Sequence, residues 1–198
     1  RLHIRGLRFT KEDCLDLPPK IFTVHEVEMG SAQALAYQDM RDELLVNLYA
    51  MEDEEGTASA SIILTQILRL TQITSGFLPR DLDEPEDEPF RFTPNPKLDA
   101  LVGLVEDNVL NHFNPASVIV WAWYREDIRA INEALAHLHP VTIAGGMSRR
   151  NREAAETAFR RGETRLLIGN PASAGVGLNL QAASVAFYYS QSYNLEHR

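Results

Sequence analysis

The spacing of apolar residues changes character near residue 95. Beyond that point, short apolar runs alternate with longer segments of helical period. SVIVWAW reads as a short buried strand, and PVTIAG, TRLLIGN and ASVAFYY read as strands. NPKLDALVGLVEDNVL, REDIRAINEALAHL and SRRNREAAETAFRRG read as helices. Strands alternating with helices of about 12–15 residues predict βαβ units and a parallel sheet. Right-handed crossovers then place helices on both faces, giving an α/β fold.

Before residue 95 the pattern is different. Residues 1–30 read as an extended entry segment, in which Pro18 and Pro19 block a helix and IFTVHEVEM alternates as an exposed strand does. Ser31 is placed to cap a helix running to about Ala50, with Leu35, Leu44, Leu45 and Leu48 at helical spacing. MEDEEGT breaks it, and SASIILTQILRLTQIT supplies a second amphipathic helix. RDLDEPEDEPF carries two prolines and acidic residues at more than half of its positions, so residues 80–89 are expected to form a solvated or disordered acidic loop.

The strand order sets where chemistry belongs. In an open parallel sheet, ligands sit at the carboxyl ends of the strands. Three loops reach such ends: WYRED, GGMSRR and GNPASAGVGLN. The last is glycine-rich and follows a strand, as phosphate-binding loops do. It is not a phosphate loop of the GxxxxGK[ST] kind, because Lys11, Lys20 and Lys97 all lie elsewhere. Nor is it GxGxxG, since Leu180 holds the third glycine's place. No acidic pair follows a strand where magnesium would be held. Nucleotide hydrolysis by this chain alone is therefore not expected.

Charge adds a second asymmetry. The net charge is −9, yet residues 101–198 carry nine basic and nine acidic side chains, and all nine basic ones are arginine. The acidic excess lies in residues 1–100. Arginine's planar fork suits phosphates and carboxylates, although compositional bias explains it equally well. The single cysteine, Cys14, excludes an internal disulfide and fits a reducing compartment. No apolar run approaches the ~20 residues of a membrane span and no signal peptide is visible, so a cytoplasmic, possibly nucleoid-associated, protein without a membrane partner is expected. The remaining candidates are weak. His137 and His139 lack a third metal ligand, Ser173 has no GxSxG elbow, and Cys14 reads as an incidental thiol. Trp121 and Trp123 are expected on one face of a buried strand.

Taken in order, these segments resemble the second, C-terminal RecA-like lobe of Swi/Snf-type ATPases, among the superfamily 2 helicase-like translocases. RFTKEDCLDLPPK resembles the family's exit from its first lobe, and Gln33 and Tyr37 match a glutamine–tyrosine helix start. QILRLTQITSG, PKLDALVGLV and SVIVWAWYREDIRAINEAL resemble the Leu-Arg helix, the Lys-Leu helix and motif IV. IAGGMSRRNREAAETAF, SAGVGLNLQAASVAFYY and QSYN resemble the Asp-Gly turn with its arginine helix, motif V, and the Trp-Asn-Pro turn. The chain departs from the family at Gly145–Gly146, at Asn170, Pro171 and Ala172, and at Tyr193 and Leu195.

The resemblance implies a RecA-like parallel sheet preceded by a mostly helical segment. Residues 1–30 become a linker from a first lobe, 31–94 a helical segment, and 95–198 the lobe itself, ending before motif VI. It implies nucleotide contacts from Gly175, Gly177 and Asn179. Nucleic-acid contacts are implied for Tyr124, Arg125, Arg149, Arg150, Arg152, Asn170 and Ser173. No catalytic residue and no metal ligand is assigned to this chain. ATP and magnesium are implied to bind mainly to a first lobe in cis, and double-stranded DNA to cross both lobes. On this reading the chain is a motor lobe of an ATP-dependent DNA translocase or remodeller, inactive alone. The alternative is a non-catalytic nucleic-acid or protein interaction module that keeps the fold.

Overall fold

A computed structural model describes residues 19–52, 60–79, 88–111, 113–174 and 178–192. Helix α1 spans Ser31–Glu52 and α2 spans Ala60–Ser75. A short antiparallel pair follows, β1 (Phe77–Leu78) with β2 (Phe90–Arg91), in which Phe77 opposes Arg91. Then come α3 (Pro96–Val109), β3 (Val118–Trp121), α4 (Arg125–Ala134), β4 (Val141–Ile143), α5 (Arg149–Arg160), β5 (Leu166–Gly169), α6 (Pro171–Ala174) and β6 (Val185–Tyr188). A 3-10 turn, Ala136–Leu138, follows α4.

The four later strands form one parallel sheet in the order β4-β5-β3-β6. Alternation along the strands divides the core in two. Val118, Val120, Leu166 and Ile168 meet Leu101, Val105 and Val109 of α3, and Ile128 and Ile131 of α4. Ile119, Trp121, Ile143 and Leu167 face the other way, toward Ala155 and Phe159 of α5 and Ala174 of α6. Helices thus cover both faces, as the pattern predicts. β3 and β5 are buried at every position, which is why their sequences show continuous apolar runs rather than alternation.

Helix starts are chemically marked. Asn95 caps α3 by accepting from the Leu98 N–H at 3.2 Å, with Pro96 in the first turn. Ser148 caps α5 by accepting from the Asn151 N–H at 3.2 Å.

Three expectations change. Residues 19–30 form no strand, and Ile21, Phe22 and Val24 are exposed, so their alternation has no sheet to join among the described residues. Helix α1 forms as expected, but only Leu44 of its four spaced leucines is buried; the residue α1 buries most fully is Gln33. Trp121 closes β3 inside the core, whereas Trp123 lies beyond the strand and is half-buried, so the two do not share a strand face. Cys14 and residues 80–87 of the acidic loop lie outside the described residues.

The helical segment docks onto the sheet domain through its second helix. Gln33 Nε2 of α1 donates to the Ile73 carbonyl of α2 at 2.6 Å. Arg91 of β2 pairs with Glu133 of α4 at 2.6 Å and also with Glu126.

Candidate nucleic-acid and nucleotide interface

The loops at the carboxyl ends of β3, β4, β5 and β6 meet along one rim. Backbone bonds stitch them together: the Ala122 N–H donates to the Gly169 carbonyl, the Asn170 N–H to Ile143, and the Tyr189 N–H to Trp121. Gly169 is required by close packing. A Cβ there would lie 3.0 Å from Trp121 Cζ3 and 3.4 Å from the Ala174 Cβ. Gly146 has φ +86, which lets the β4 loop turn into α5. A Cβ on Gly145 would approach Ser173 Oγ at 3.5 Å, so the β4 and β5 loops lie side by side.

The start of α5 carries the exposed positive charge. Arg149 pairs with Glu153 one turn on, at 2.7 Å, while Arg150 and Arg152 form no ion pair among the described residues. Free N–H groups and the positive end of the helix dipole add to these arginines. Arg125 opens α4 on the same rim and is exposed. Arg149 and Arg150 are exposed and Arg152 is half-buried, which makes the start of α5 a basic edge; Arg125 opens a helix on the other face of the sheet.

The other candidates are more committed. Asn170 donates from Nδ2 to the Trp123 carbonyl at 2.7 Å, and its Oδ1 accepts from the Ala172 N–H at 2.9 Å. Its side chain fastens the β5 loop to the β3 loop. Pro171 follows it as the first residue of α6, so the first half of the glycine-rich stretch is a turn of helix. Tyr124 turns toward α2: its hydroxyl lies 2.6 Å from Thr71 Oγ1 and its ring meets Phe77 edge-on at 5.5 Å. The Asn179 N–H donates to Glu156 of α5 at 3.0 Å, and its Oδ1 accepts from Gln181. Gly175 and Gly177 lie outside the described residues.

Next to this rim the structure builds a buried polar hub that sequence reasoning did not single out. Asp127, 1% exposed in the first turn of α4, accepts from Ser190 at 2.5 Å and from Ser75 at 3.3 Å. Ser190 Oγ in turn accepts from the Trp123 N–H at 2.7 Å. Tyr189 donates to the Ser75 carbonyl at 2.9 Å, and Asn95 Nδ2 donates to the same carbonyl at 3.2 Å. Lys97 Nζ lies 4.6 Å from the centre of the Tyr189 ring. Burial raises the Asp127 carboxyl to about 6, against the pull of Ser190, Lys97, Ser75 and the Tyr124 backbone. Asp127 Oδ1 nevertheless receives no well-aligned hydrogen bond. Burial also lowers Lys97, with Asp127 opposing, and raises the Tyr189 hydroxyl. The hub joins the end of α2, the starts of α3 and α4, and the exit of β6. One sequence signal for it exists: Asp127 stands four residues before Ile131, on the apolar face of α4.

Among the described residues, no group of three or more His, Cys, Asp or Glu side chains could hold a metal ion. His137 sits on the surface and pairs with Glu106 at 2.9 Å. No helix among the described residues is long and apolar enough to cross a membrane.

The parallel sheet, its two helical layers and this rim define a RecA-like lobe of the helicase type. The chain belongs to the helicase conserved C-terminal domain family, which matches residues 96–198. No curated protein matches the sequence. Solved structures do match the fold. It is similar to the Sulfolobus solfataricus SWI2/SNF2 ATPase core domain (TM-score 0.69, 18% identity), covering 96% of this chain and 38% of that one. It is similar to the C-terminal part of the Fun30 ATPase domain (TM-score 0.68, 16% identity), covering 91% of this chain and 78% of that one. The Sulfolobus solfataricus core solved in complex with double-stranded DNA also matches, at TM-score 0.61 and 17% identity, over 81% of this chain and 33% of that one. The fold is that of the C-terminal RecA-like lobe of Swi2/Snf2 ATPases.

Proposed function

We propose that this lobe serves an ATP-dependent DNA translocase or remodeller, closing over a nucleotide held by a companion lobe and contacting the DNA backbone. The observation that carries this reading is the placing of arginines at two helix starts, Arg125 of α4 and Arg149, Arg150 and Arg152 of α5, at the carboxyl end of a helicase-type sheet. Exposed arginines at a helix start bind phosphates without reading sequence. In this role Asn170 and Ser173 act mainly by fixing the loops around the arginines. Nucleotide contacts are assigned to Asn179, Gly175 and Gly177. ATP and magnesium are held chiefly by the companion lobe, since the sequence contains no phosphate loop and the described residues no metal-ligating cluster.

The chain alone is expected to turn over no ATP. Joined to a lobe bearing a phosphate loop and acidic magnesium ligands, and to an arginine-bearing motif VI, it is expected to show DNA-stimulated hydrolysis. Robust turnover by the isolated chain would overturn this. DNA binding is expected to be weak and to fall steeply between about 50 and 200 mM salt. Changing Arg149, Arg150 and Arg152 together to alanine is expected to weaken it about tenfold or more and flatten the salt slope by roughly two to three units. Unaltered affinity removes this edge from the mechanism. The second reading, an interaction module without catalysis, draws on the full commitment of Asn170 to Trp123 and Ala172. It predicts no hydrolysis in the joined protein.

A further inference from the structure

Asp127 and the glycine-rich loop are joined through the backbone of one residue, Trp123. Ser190 Oγ donates to Asp127 Oδ2 at 2.5 Å and accepts from the Trp123 N–H at 2.7 Å. The Trp123 carbonyl accepts from Asn170 Nδ2 at 2.7 Å, and Asn170 Oδ1 accepts from the Ala172 N–H at 2.9 Å. The Asn170 backbone carbonyl accepts from Ser173 and Ala174, so this one asparagine holds the turn Pro171–Ala174. At the opposite end, Ser75 at the close of α2 donates to the same Asp127 oxygen at 3.3 Å. Hydrogen bonds thus run from the helical segment to the loop after β5. Each bond in such a series polarises the next, the more so where burial lowers the dielectric.

The ionised carboxyl fills both roles of Ser190. A serine hydroxyl has one hydrogen to give and two lone pairs. With Asp127 ionised, the hydrogen goes to Oδ2 and a lone pair serves Trp123. A proton on Oδ2 makes the carboxyl a donor instead. Ser190 must then accept from both neighbours, and its own hydrogen loses that acceptor. The Tyr124 N–H, on the peptide whose carbonyl holds Asn170, also favours the ionised carboxyl. We propose that Asp127 is a positioning residue for the glycine-rich loop: it acts through Ser190 and the Trp123 backbone on Asn170, and its charge state is read at Pro171–Ala174. That this loop serves a nucleotide rests on the function proposed above; the linkage from Asp127 to Asn170 does not. Facing Asp127 are Lys97 of α3, which favours the carboxylate, and Tyr189 at the exit of β6, whose hydroxyl burial raises. Asp99 of α3 bears on Tyr189, α2 contributes the uncharged Ser75, and Glu126 of α4 turns to Arg91 and Arg129.

The test is a pH titration of the isotope-labelled chain, followed at the Asp127 carboxyl carbon, the Asn170 side-chain amide and the Ala172 N–H. All three signals are expected to move with one midpoint, at about 6. In Asp127→Asn the Asn170 and Ala172 signals are expected to stay still over the same range. Ser190→Ala removes a donor to the carboxylate, so the Asp127 midpoint is expected to rise by about one pH unit, and the Asn170 midpoint to rise with it. If Ser190→Ala does not fold, Ser75→Ala makes the same comparison with a smaller rise. A purely structural tie changes signals on mutation but gives no shared midpoint. The proposal fails if Asn170 and Ala172 stay still while Asp127 titrates, or if they titrate equally in Asp127→Asn. It fails too if folded Ser190→Ala leaves the carboxyl midpoint in place, or moves it without moving that of Asn170. Neither ATP nor DNA enters the measurement, so its failure leaves the proposed function standing.

Discussion

The arginine edge of α5 and the buried hub around Asp127 both lie at the carboxyl end of the sheet, beside its opposite edge strands β4 and β6, and they are built on opposite terms. The edge is mostly exposed, made of one residue type, and little committed to the fold beneath it. The hub is buried around Asp127, made of six side chains of five types, and each depends on its neighbours. Charge on the edge is solvated and costs little to carry. Charge in the hub is desolvated, and the elevated Asp127 carboxyl records that cost. Substitutions should therefore separate the regions: the hub governs stability, and the edge governs binding.

The largest effect is expected at Gly76, which leads α2 into β1. Its φ is +98, and a Cβ there would lie 2.0 Å from Asn95 Nδ2. Gly76→Ala therefore strains the backbone and displaces Asn95, with its cap on α3 and its bond to Ser75. The expected loss is roughly 3–4 kcal/mol in urea unfolding, from the sum of those effects. A loss below about 1 kcal/mol would mean that the hub is not rigid, and the contrast with the edge would weaken.

Next is a pH effect. The folded carboxyl of Asp127 titrates near 6, above its ordinary value of 3.8. A raised carboxyl favours the folded state most below the lower value, and that contribution is lost as pH rises through the higher one. Asp127→Asn removes the titration. Between about pH 4.5 and 7.5, the stability of the variant relative to the parent should therefore rise by about 2 kcal/mol. A pH-independent difference would place the Asp127 carboxyl in ordinary solvent. Smaller again is Tyr189→Phe, which deletes the donor to Ser75 while Asn95 continues to serve that carbonyl. About 1 kcal/mol is expected, measured by thermal or urea unfolding.

The two regions also differ in how far the sequence reveals them. The arginines stand together after a serine cap, and the sheet that presents them is written in four-residue apolar runs. Both are local signals, and both match the structure. The hub draws on residues 75, 95, 97, 127, 189 and 190, which no window joins; only the placement of Asp127 on an apolar helical face hints at it. Asn170 and Pro171 open a turn of helix in the structure, but the glycines beyond them make the stretch read as a loop in the sequence. The leucines of α1 misled for the opposite reason: helical spacing predicts a helix, but says nothing about whether a partner lies against each face.

The smallest structural effect is expected at the edge, and it carries the comparison furthest. Changing Arg149, Arg150 and Arg152 to alanine removes one surface pair, with Glu153, and two side chains that form no ion pair among the described residues. Alanine also has the highest helix propensity, which offsets what is lost. The unfolding midpoint of the variant should therefore match that of the parent, while its DNA affinity falls and loses part of its salt dependence. Both readouts come from one protein. A shifted midpoint with unchanged affinity would reverse the roles assigned to the two regions, because the edge would then be structural and the phosphate contacts would lie elsewhere on the rim.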